Sequence, residues 1–498
     1  MPLLSLIIWT PILGAIAIFF LPGKESSAKK IALVSTAIPL ILSIYLLFHF
    51  QLNQDYQFVE NVIWVKGLGV SYFLGVDGLN LSLVLLVSLL SFLVVMAMHQ
   101  EEYRLRAFYS CLLLMECGLL GVFLSLDLIL FYVFWEVVLI PGYFLIGIWG
   151  GPNRQKASIK FLMYTLLGSL VMLIAILAIY FRADMHTFSI PALLTANFSI
   201  GFQRVIFIFL LIGLAIKVPL FPFHSWQPDA YVEAPNSITV LLSGLVAKMG
   251  VYGFIRVGYS LVPQGSATFS WLVCILAVTT IIYANLCAAA QTDLKRMFAY
   301  SSLGHMGLIM LGVGALNKIG IEGSIFHMFN HGIIAGAIFM AISMIQDTLG
   351  TIEIRKLRMI VHYIPTGAML FWLLLLASFG LPGMSSFIAE FYILSGAFQS
   401  QVIFGIIAMT GTVIMAGYIF SMLPAISFRG TSSDSGLGHH QPSSDQAGTL
   451  QVAAYNKKLI FSLISLSVII IFLGFYPKLL LSTFHNYAAQ FIARIQLP

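Results

Sequence analysis

Runs of about 20 apolar residues recur along the whole chain, and they constrain its fold more than any other feature of the sequence. A helix of roughly that length is needed to cross a hydrocarbon layer of ~30 Å. The composition agrees, because 60% of the 498 residues are hydrophobic and only 9% are charged. Soluble domains carry roughly 25% charged residues. The sequence therefore predicts an all-α polytopic membrane protein.

We predict about fourteen transmembrane helices from these runs. Their approximate bounds are 3–21, 31–50, 76–98, 107–125, 128–149, 161–181, 205–223, 236–255, 268–290, 297–316, 323–345, 367–399, 402–424 and 458–476. The first run lacks the basic segment and cleavage site of a signal peptide, so we expect it to stay in the membrane. The polar stretch from Thr431 to Gly448 is the one long flexible loop that we expect.

Alternate loops differ in their content of Lys and Arg, which predicts the orientation of the chain. Most of the 25 Lys and Arg fall in one set of loops, namely 22–30, 99–106, 150–160, 291–296, 346–358 and 425–457 with Lys458. Loops rich in these residues face the cytoplasm. We therefore expect both termini on the periplasmic side of a bacterial inner membrane.

Two of the predicted helices contain interruptions. Pro219 and Pro222 interrupt the run that ends at Phe223, and Gly380-Leu381-Pro382-Gly383 interrupts a second run. Proline removes a backbone donor and frees a carbonyl one turn back, which a membrane tolerates only where protein or water satisfies that carbonyl. The breaks therefore predict a hydrated interior.

The breaks also indicate an internal repeat. Each of two successive groups of five predicted helices contains one broken member, and an odd number of helices per group makes the groups inverted relative to each other. The predicted organisation is three N-terminal helices in 1–106, a first five-helix repeat in 107–255, a second repeat in 256–424, and a cytoplasmic loop, last helix and tail in 425–498.

Four charged residues lie well inside predicted membrane helices, namely Glu136, Lys217, Lys248 and Glu390. Each such charge costs about 2.5–3.5 kcal/mol at the centre of a membrane helix. Structural ion pairs between helices are one interpretation, but buried pairs contribute little net stability. We favour a proton relay, in which lysine and carboxylate partners pair and separate to load and release a proton.

Three histidines, His305, His327 and His331, add groups that titrate near neutral pH. They lie in helices that we place between Lys248 and Glu390. His327 and His331 share one helix face, so a metal site is an alternative, but no carboxylate or thiolate is suitably spaced to complete it. We expect these histidines to relay protons or order water, with packing histidines as the alternative, and we expect no metal.

The remaining acidic and basic candidates have weaker signals. Glu116 lies inside an apolar helix and is either a lateral coupling group or a partly solvated structural acid. Asp77 precedes Gly78 and an apolar run, so we expect it to cap its helix. Three residues after the first break are expected only to line its outlet, namely His224, Asp229 and Glu233.

The sequence has no pattern for a bound cofactor or for nucleic acid. No G-x-G-x-x-G and no P-loop occurs, and no basic stripe with interleaved aromatic residues indicates nucleic acid. The cysteines lie in apolar runs without a C-x-x-C and are expected to be buried structural thiols; they are Cys111, Cys117, Cys274 and Cys287. Redox chemistry is therefore expected on other chains.

The residues around the first break resemble a known family. The motif is Ala215-Ile216-Lys217-Val218-Pro219, then Phe221-Pro222-Phe223-His224-Ser225-Trp226-Gln227-Pro228-Asp229-Ala230, then Glu233-Ala234-Pro235. It is similar to the signature of the antiporter-like subunits of respiratory complex I, and the resemblance covers essentially the whole chain. It implies two inverted five-helix repeats with broken helices 7 and 12. It also implies that the proton carriers are Glu136, Lys217, Lys248 and Glu390.

The resemblance further implies a function and a set of partners. The function is proton translocation in the membrane arm of NADH:quinone oxidoreductase, with flavin, iron–sulfur clusters and quinone in partner subunits and no cofactor on this chain. The partners are other membrane-arm subunits, including neighbouring antiporter-like ones, together with protons, internal water and the lipid bilayer. Related subunits generally have lysine where this chain has Glu390. A sodium/proton antiporter subunit and a structural scaffold are the alternatives.

Overall fold

The computed structural model describes residues 2–20, 25–97, 103–359, 364–427 and 456–496. Twelve helices in these ranges are long and apolar enough to cross a membrane. This confirms the predicted all-α polytopic class. The predicted loop from Thr431 to Gly448 lies outside the described residues.

The first half of the chain forms nine helices and one hairpin. They are α1 (Leu3–Phe20), α2 (Glu25–His49), β1 (Gln57–Val65), β2 (Val70–Val76), α3 (Leu81–Ala97), α4 (Leu105–Leu124), α5 (Leu128–Trp149), α6 (Arg154–Arg182), α7 (Ile190–Leu193), α8 (Ile200–Lys217) and α9 (Trp226–Glu233).

The second half is helical throughout the described ranges. Its helices are α10 (Asn236–Tyr259), α11 (Pro263–Thr268), α12 (Ser270–Ala289), α13 (Leu294–Gly314), α14 (Lys318–Leu349), α15 (Pro365–Ser378), α16 (Ser385–Ser400), α17 (Val402–Ser427), α18 (Lys457–Phe475) and α19 (Lys478–Gln496). Two segments of α10 are π-helical, Leu242–Val246 and Phe254–Tyr259.

Two of the predicted membrane helices are shorter than expected. The predicted helix 76–98 corresponds to α3, an apolar helix of 17 residues. The predicted helix 367–399 corresponds to two helices, α15 and α16. A helix therefore occupies each predicted run, while the count of fourteen spans stays a prediction.

The hairpin of β1 and β2 was not predicted. Its strands pair antiparallel, and Gly69 between them has φ +66°, a left-handed conformation that glycine adopts without steric cost. The aromatic and β-branched residues of β1 are typical of a strand. Because β2 ends at Val76, it places Asp77 at the entrance to α3.

The amphipathic helix α19 was not predicted either. Leu480, Phe484 and Ala488 are buried at a spacing of four residues, which places them on one face of the helix. The Phe484 ring lies 6.4 Å from the Phe326 ring of α14. The segment is too polar to be recognised as a membrane span, and its helical periodicity was the signal that could have identified it.

At the first break, hydrogen bonds from other protein groups satisfy the backbone carbonyls. After Lys217 the chain leaves α8, and the indole Nε1 of Trp226 donates to the carbonyl of Ile216 at 2.8 Å. The backbone N–H of Leu220 donates to Ala215 O at 2.9 Å. The break predicted from the prolines is therefore confirmed, and the Trp226 indole stabilises it.

The second break lies between α15 and α16 and uses glycine. Gly380 and Gly383 have φ +77° and +95°, where side chains are strained. The Ser386 hydroxyl donates to Ala377 O at the end of α15. A protein hydroxyl therefore also satisfies a backbone carbonyl at this break.

Candidate proton-relay site

Lys217 is the last residue of α8 and is 1% exposed. Its Nζ has no hydrogen-bond partner among the described residues. It lies 5.5 Å from the ring centroid of Trp135 and 5.9 Å from that of Phe161. The electron-rich faces of these rings attract an ammonium group. At this position the lysine is therefore held by aromatic rings.

Glu136 lies on α5 beside Trp135, close enough for its charge to act on Lys217. Within the described residues, its Oε1 atom is buried without a hydrogen-bond partner, and the two side chains form no ion pair. The structure thus places Glu136 and Lys217 near each other without a direct contact between their charged groups. We name this set, Glu136, Lys217, Trp135 and Phe161, the Lys217 region.

Lys248 lies in α10 between the two π-helical segments and is fully buried. Its Nζ donates to the carbonyl of Ser243 and lies 2.7 Å from His331 Nδ1. A π-helical turn leaves backbone carbonyls outside the regular α-helical ladder, and such turns are frequent at functional sites. The irregular backbone of α10 thus supplies an acceptor for this buried lysine.

The three predicted histidines form a cluster beside Lys248. The ring centroids of His331 and His305 lie 5.0 Å apart. The His305 Nδ1 atom lies 3.2 Å from His327 Nε2. His305 Nδ1 also lies 3.8 Å from Glu390 Oε1. The histidine region, formed by Lys248, His305, His327, His331 and Glu390, therefore brings together ionisable side chains of α10, α13, α14 and α16. His331 adjoins the other two imidazoles through neighbouring rings.

Glu390 is held against the second break. A Cβ atom added to Gly380 would lie 2.8 Å from the Oε2 atom of Glu390, closer than real Cβ atoms come to a neighbour. Gly380 therefore has two reasons to be glycine, its positive φ angle and the approach of this carboxylate. The break and the predicted carrier form one structural unit.

The histidine region corrects one interpretation from the sequence. We argued that no carboxylate was placed to complete a metal site with the histidines, and this was wrong. One ligand atom from each of His305, His327 and Glu390 lies within 4.8 Å of the others, because the fold brings α16 beside α13 and α14. His305 and His327 are in hydrogen-bond contact through those atoms, and the absence of a metal stays a prediction.

Glu116 is fully buried in α4. Neither of its carboxylate oxygens has a hydrogen-bond partner among the described residues. This burial argues against a partly solvated structural acid, one of the two interpretations left open by the sequence. Lateral coupling stays a prediction.

A buried ion pair between Asp77 and Arg256 was missed. The carboxylate of Asp77 caps α3 by accepting from Leu79 N and Asn80 N at 3.1 and 3.2 Å. It also accepts from both terminal nitrogens of Arg256 at 2.7 Å each. The predicted helix 236–255 ends before Arg256, whereas α10 continues to Tyr259 and the guanidinium is 2% exposed.

The polar residues after the first break lie at one end of the bundle. Asp229 contacts Lys160 at 2.8 Å and Arg296 at 3.3 Å. The Glu233 carboxylate accepts from Asn153 N at 2.9 Å. The partners come from the segments 150–160 and 291–296, which the charge bias predicts to be cytoplasmic. These acids therefore lie at that end of the broken helix.

Known proteins are similar to this chain in sequence and in fold. The family model described as NADH:quinone oxidoreductase/Mrp antiporter, TM, matches residues 125–415. A protein named NADH-quinone oxidoreductase subunit M from Rickettsia prowazekii is 35% identical over 493 residues, covering 97% of each chain.

Two solved structures contain similar chains. One, in respiratory complex I from Thermus thermophilus with bound NADH, is 28% identical with a TM-score of 0.84 and full coverage of both chains. The other, in the Mrp complex from Dietzia sp., has a TM-score of 0.83 at 22% identity over 99% of each chain, which shows a shared fold alone. The resemblance seen in the sequence is thus confirmed, and the chain belongs to the family of antiporter-like membrane subunits of NADH:quinone oxidoreductase and Mrp antiporters.

Proposed function

We infer that this chain is a proton-translocating membrane-arm subunit of NADH:quinone oxidoreductase. The observation that carries the inference is the histidine region, a series of buried ionisable side chains within a membrane bundle. Such groups are costly in a membrane and mark ion or proton pathways. The names of the Rickettsia relative and of the Thermus complex support the same assembly.

In this function the histidine region carries a proton between Lys248 and Glu390. The 2.7 Å approach of Lys248 Nζ to His331 Nδ1 allows a proton to pass from ammonium to imidazole. His305 and His327 can share a proton through their 3.2 Å contact. A small rotation of Glu390 closes its 3.8 Å gap to His305. Each group is neutral in one protonation state, so the proton can pass while the region holds few charges at once.

The Lys217 region works by a different step. The Lys217 ammonium rests near aromatic rings while it is separated from Glu136. Because Lys217 ends α8 at the break, a shift of the broken segment changes its distance from the carboxylate. Pairing favours the charged lysine, and separation in apolar surroundings favours proton release.

Electron transfer belongs to other chains in this proposal. Flavin, iron–sulfur clusters and quinone are assigned to partner subunits, and this chain supplies only a proton path. Other membrane-arm subunits, including neighbouring antiporter-like ones, are its partners within the bilayer.

The proposed location is a bacterial inner membrane with both termini in the periplasm, as the loop charges indicate. A membrane-impermeant thiol reagent applied to intact cells tests this orientation. Ala489→Cys in α19 should react above the level of the unsubstituted chain, whereas Gln155→Cys at the start of α6 should not. The opposite labelling pattern would reverse the orientation.

The function is tested with Lys248→Ala in the assembled complex. We expect the chain to purify with flavin and iron–sulfur subunits, and we expect the variant to lose most proton translocation per electron pair in reconstituted vesicles. Lys356→Ala is the control, because that lysine is exposed and pairs with Glu353. Normal pumping by Lys248→Ala would refute the relay. Purification without redox subunits, together with sodium-dependent proton movement, would favour the antiporter alternative.

A further inference from the structure

One cavity lies against the histidine region, and a larger one lies at the end of the bundle where Gly151 and Lys295 are found. The larger has a volume of about 600 Å³, and Glu233, Lys295 and Ser343 line it. The smaller has a volume of about 10 Å³, and its polar lining residues are Ser301, Ser302, His305, His331 and Ser378. About 10–15 Å³ is the space that one water molecule needs. The small cavity therefore has the size and the polar partners for a single water against the imidazoles.

Tyr231 lines neither cavity but adjoins one lining residue of each. Its neighbour Val232 lines the larger one, and its ring packs edge-on against Phe339 at 6.0 Å. Phe339 in turn lines the smaller cavity. The Tyr231 side chain is fully buried, and its hydroxyl donates to Leu242 O at 3.0 Å. A buried phenol thus adjoins the linings of both spaces.

Ser302 supplies a second polar group beside Tyr231. Its side chain is 3% exposed, lies close to Tyr231 and lines the small cavity. Its Oγ has no hydrogen-bond partner among the described residues. A buried hydroxyl without a partner is unfavourable. That cost is offset if Ser302 binds a water in the cavity.

We propose that Tyr231 and Ser302 form a proton inlet that links the larger cavity to His305 and His331. The proposal rests on the relay function and adds to it a route of proton uptake from the larger cavity to the imidazoles. A proton accepted by the Tyr231 oxygen is matched by release of the phenolic proton to Ser302. Ser302 then passes its own hydroxyl proton to the cavity water, and that water protonates an imidazole. Tyr231, Ser302 and the water end with the protons they began with.

A structural role is the competing explanation for Tyr231, because its hydroxyl holds the Leu242 carbonyl at the start of a π-helical segment. Ser302 separates the two explanations, since its hydroxyl forms no hydrogen bond to a described backbone carbonyl. Ser302→Ala removes one oxygen atom from a helix interior, where alanine is the most favourable residue. A change in pumping with this variant therefore reports on the hydroxyl itself.

The test measures proton translocation per electron pair for Ser302→Ala and Tyr231→Phe in the assembled complex. Both ratios should fall, and Ser302→Thr should restore part of the ratio by returning a hydroxyl. Matched controls are Ser467→Ala and Tyr259→Phe, which remove buried hydroxyls without described partners in α18 and at the other end of α10. Both controls should pump normally.

Two outcomes would overturn the inlet. The first is a normal ratio in Ser302→Ala, and the second is an equal loss in Ser467→Ala or Tyr259→Phe. Lys248→Ala, measured in parallel, distinguishes failure of the inlet from failure of the proposed function. If Lys248→Ala abolishes pumping while Ser302→Ala does not, the relay stands and only the inlet is refuted. If Lys248→Ala pumps normally, both are refuted.

Discussion

The Lys217 region and the histidine region each contain a buried lysine and a glutamate, but these groups make different contacts. In the Lys217 region, Glu136 and Lys217 form no ion pair, and aromatic rings surround the ammonium. In the histidine region, three pairs of ionisable groups have polar atoms 2.7 to 3.8 Å apart. The pairs are Lys248 with His331, His305 with His327, and His305 with Glu390. Proton transfer in the first region therefore requires motion of a broken helix, whereas transfer in the second requires side-chain rotation. We therefore expect the first region to be the gated step of the proposed relay.

The largest expected effect comes from removing a carrier in the Lys217 region. Glu136→Ala or Lys217→Ala should abolish most proton pumping and coupled quinone reduction while the complex still assembles. The physical reason is that removing either side chain leaves the other without its proposed exchange partner, since Lys217 Nζ has no hydrogen-bond partner among the described residues. Vesicle measurements of proton translocation, normalised to assembled complex, check this. Full pumping by an assembled Lys217→Ala complex would remove the first region from the pathway.

The next largest effect concerns stability. Asp77→Ala leaves the Arg256 guanidinium buried and unpaired, which should destabilise the chain by about 3–5 kcal/mol. The double variant Asp77→Leu with Arg256→Met removes both charges and should recover most of that loss. Thermal unfolding of the complex measures the first quantity, and proton translocation per assembled complex should stay normal in the double variant. A pumping defect in a stable double variant would show that this pair belongs with the carriers.

A smaller effect is expected at the second break. Gly380→Ala places a side chain at φ +77°, which costs roughly 1–2 kcal/mol, and it pushes the Glu390 carboxylate from its position. Gly350→Ala is the matched control, because Gly350 has φ +66° and open space around its missing Cβ. Both variants should lose similar stability, but only Gly380→Ala should lower the pumping ratio. Equal pumping by the two variants would mean that the approach to Glu390 has no role.

The sequence predicted those features that depend on local chemistry. Prolines and glycines cannot continue a membrane helix without compensation, so Pro219, Pro222 and Pro382 located both breaks. A charge inside an apolar run is conspicuous, so the sequence also identified Lys248 and Glu390 as candidates. Their roles as carriers stay predictions.

Features that depend on contacts between distant parts of the chain could not be predicted from the sequence. Asp77 and Arg256 are separated by 179 positions in the chain, and Arg256 lies just beyond the predicted helix 236–255. The carboxylate beside His305 comes from α16, so no spacing along one helix could have shown it. Trp226 belonged to the recognised motif, but its hydrogen bond to Ile216 O follows only from the path of the break.

Glu390 tests most directly the claim that protons pass through the histidine region. Proton translocation per electron pair, measured in vesicles and normalised to assembled complex, should be compared for Glu390→Gln, Glu390→Asp and Glu390→Lys. Glutamine keeps the size of the side chain but exchanges no proton, so we expect severe loss. Aspartate and lysine can both exchange a proton and should retain part of the ratio. Normal pumping by Glu390→Gln would contradict the claim, and a lysine variant as damaged as the glutamine variant would replace the relay with a role specific to a carboxylate.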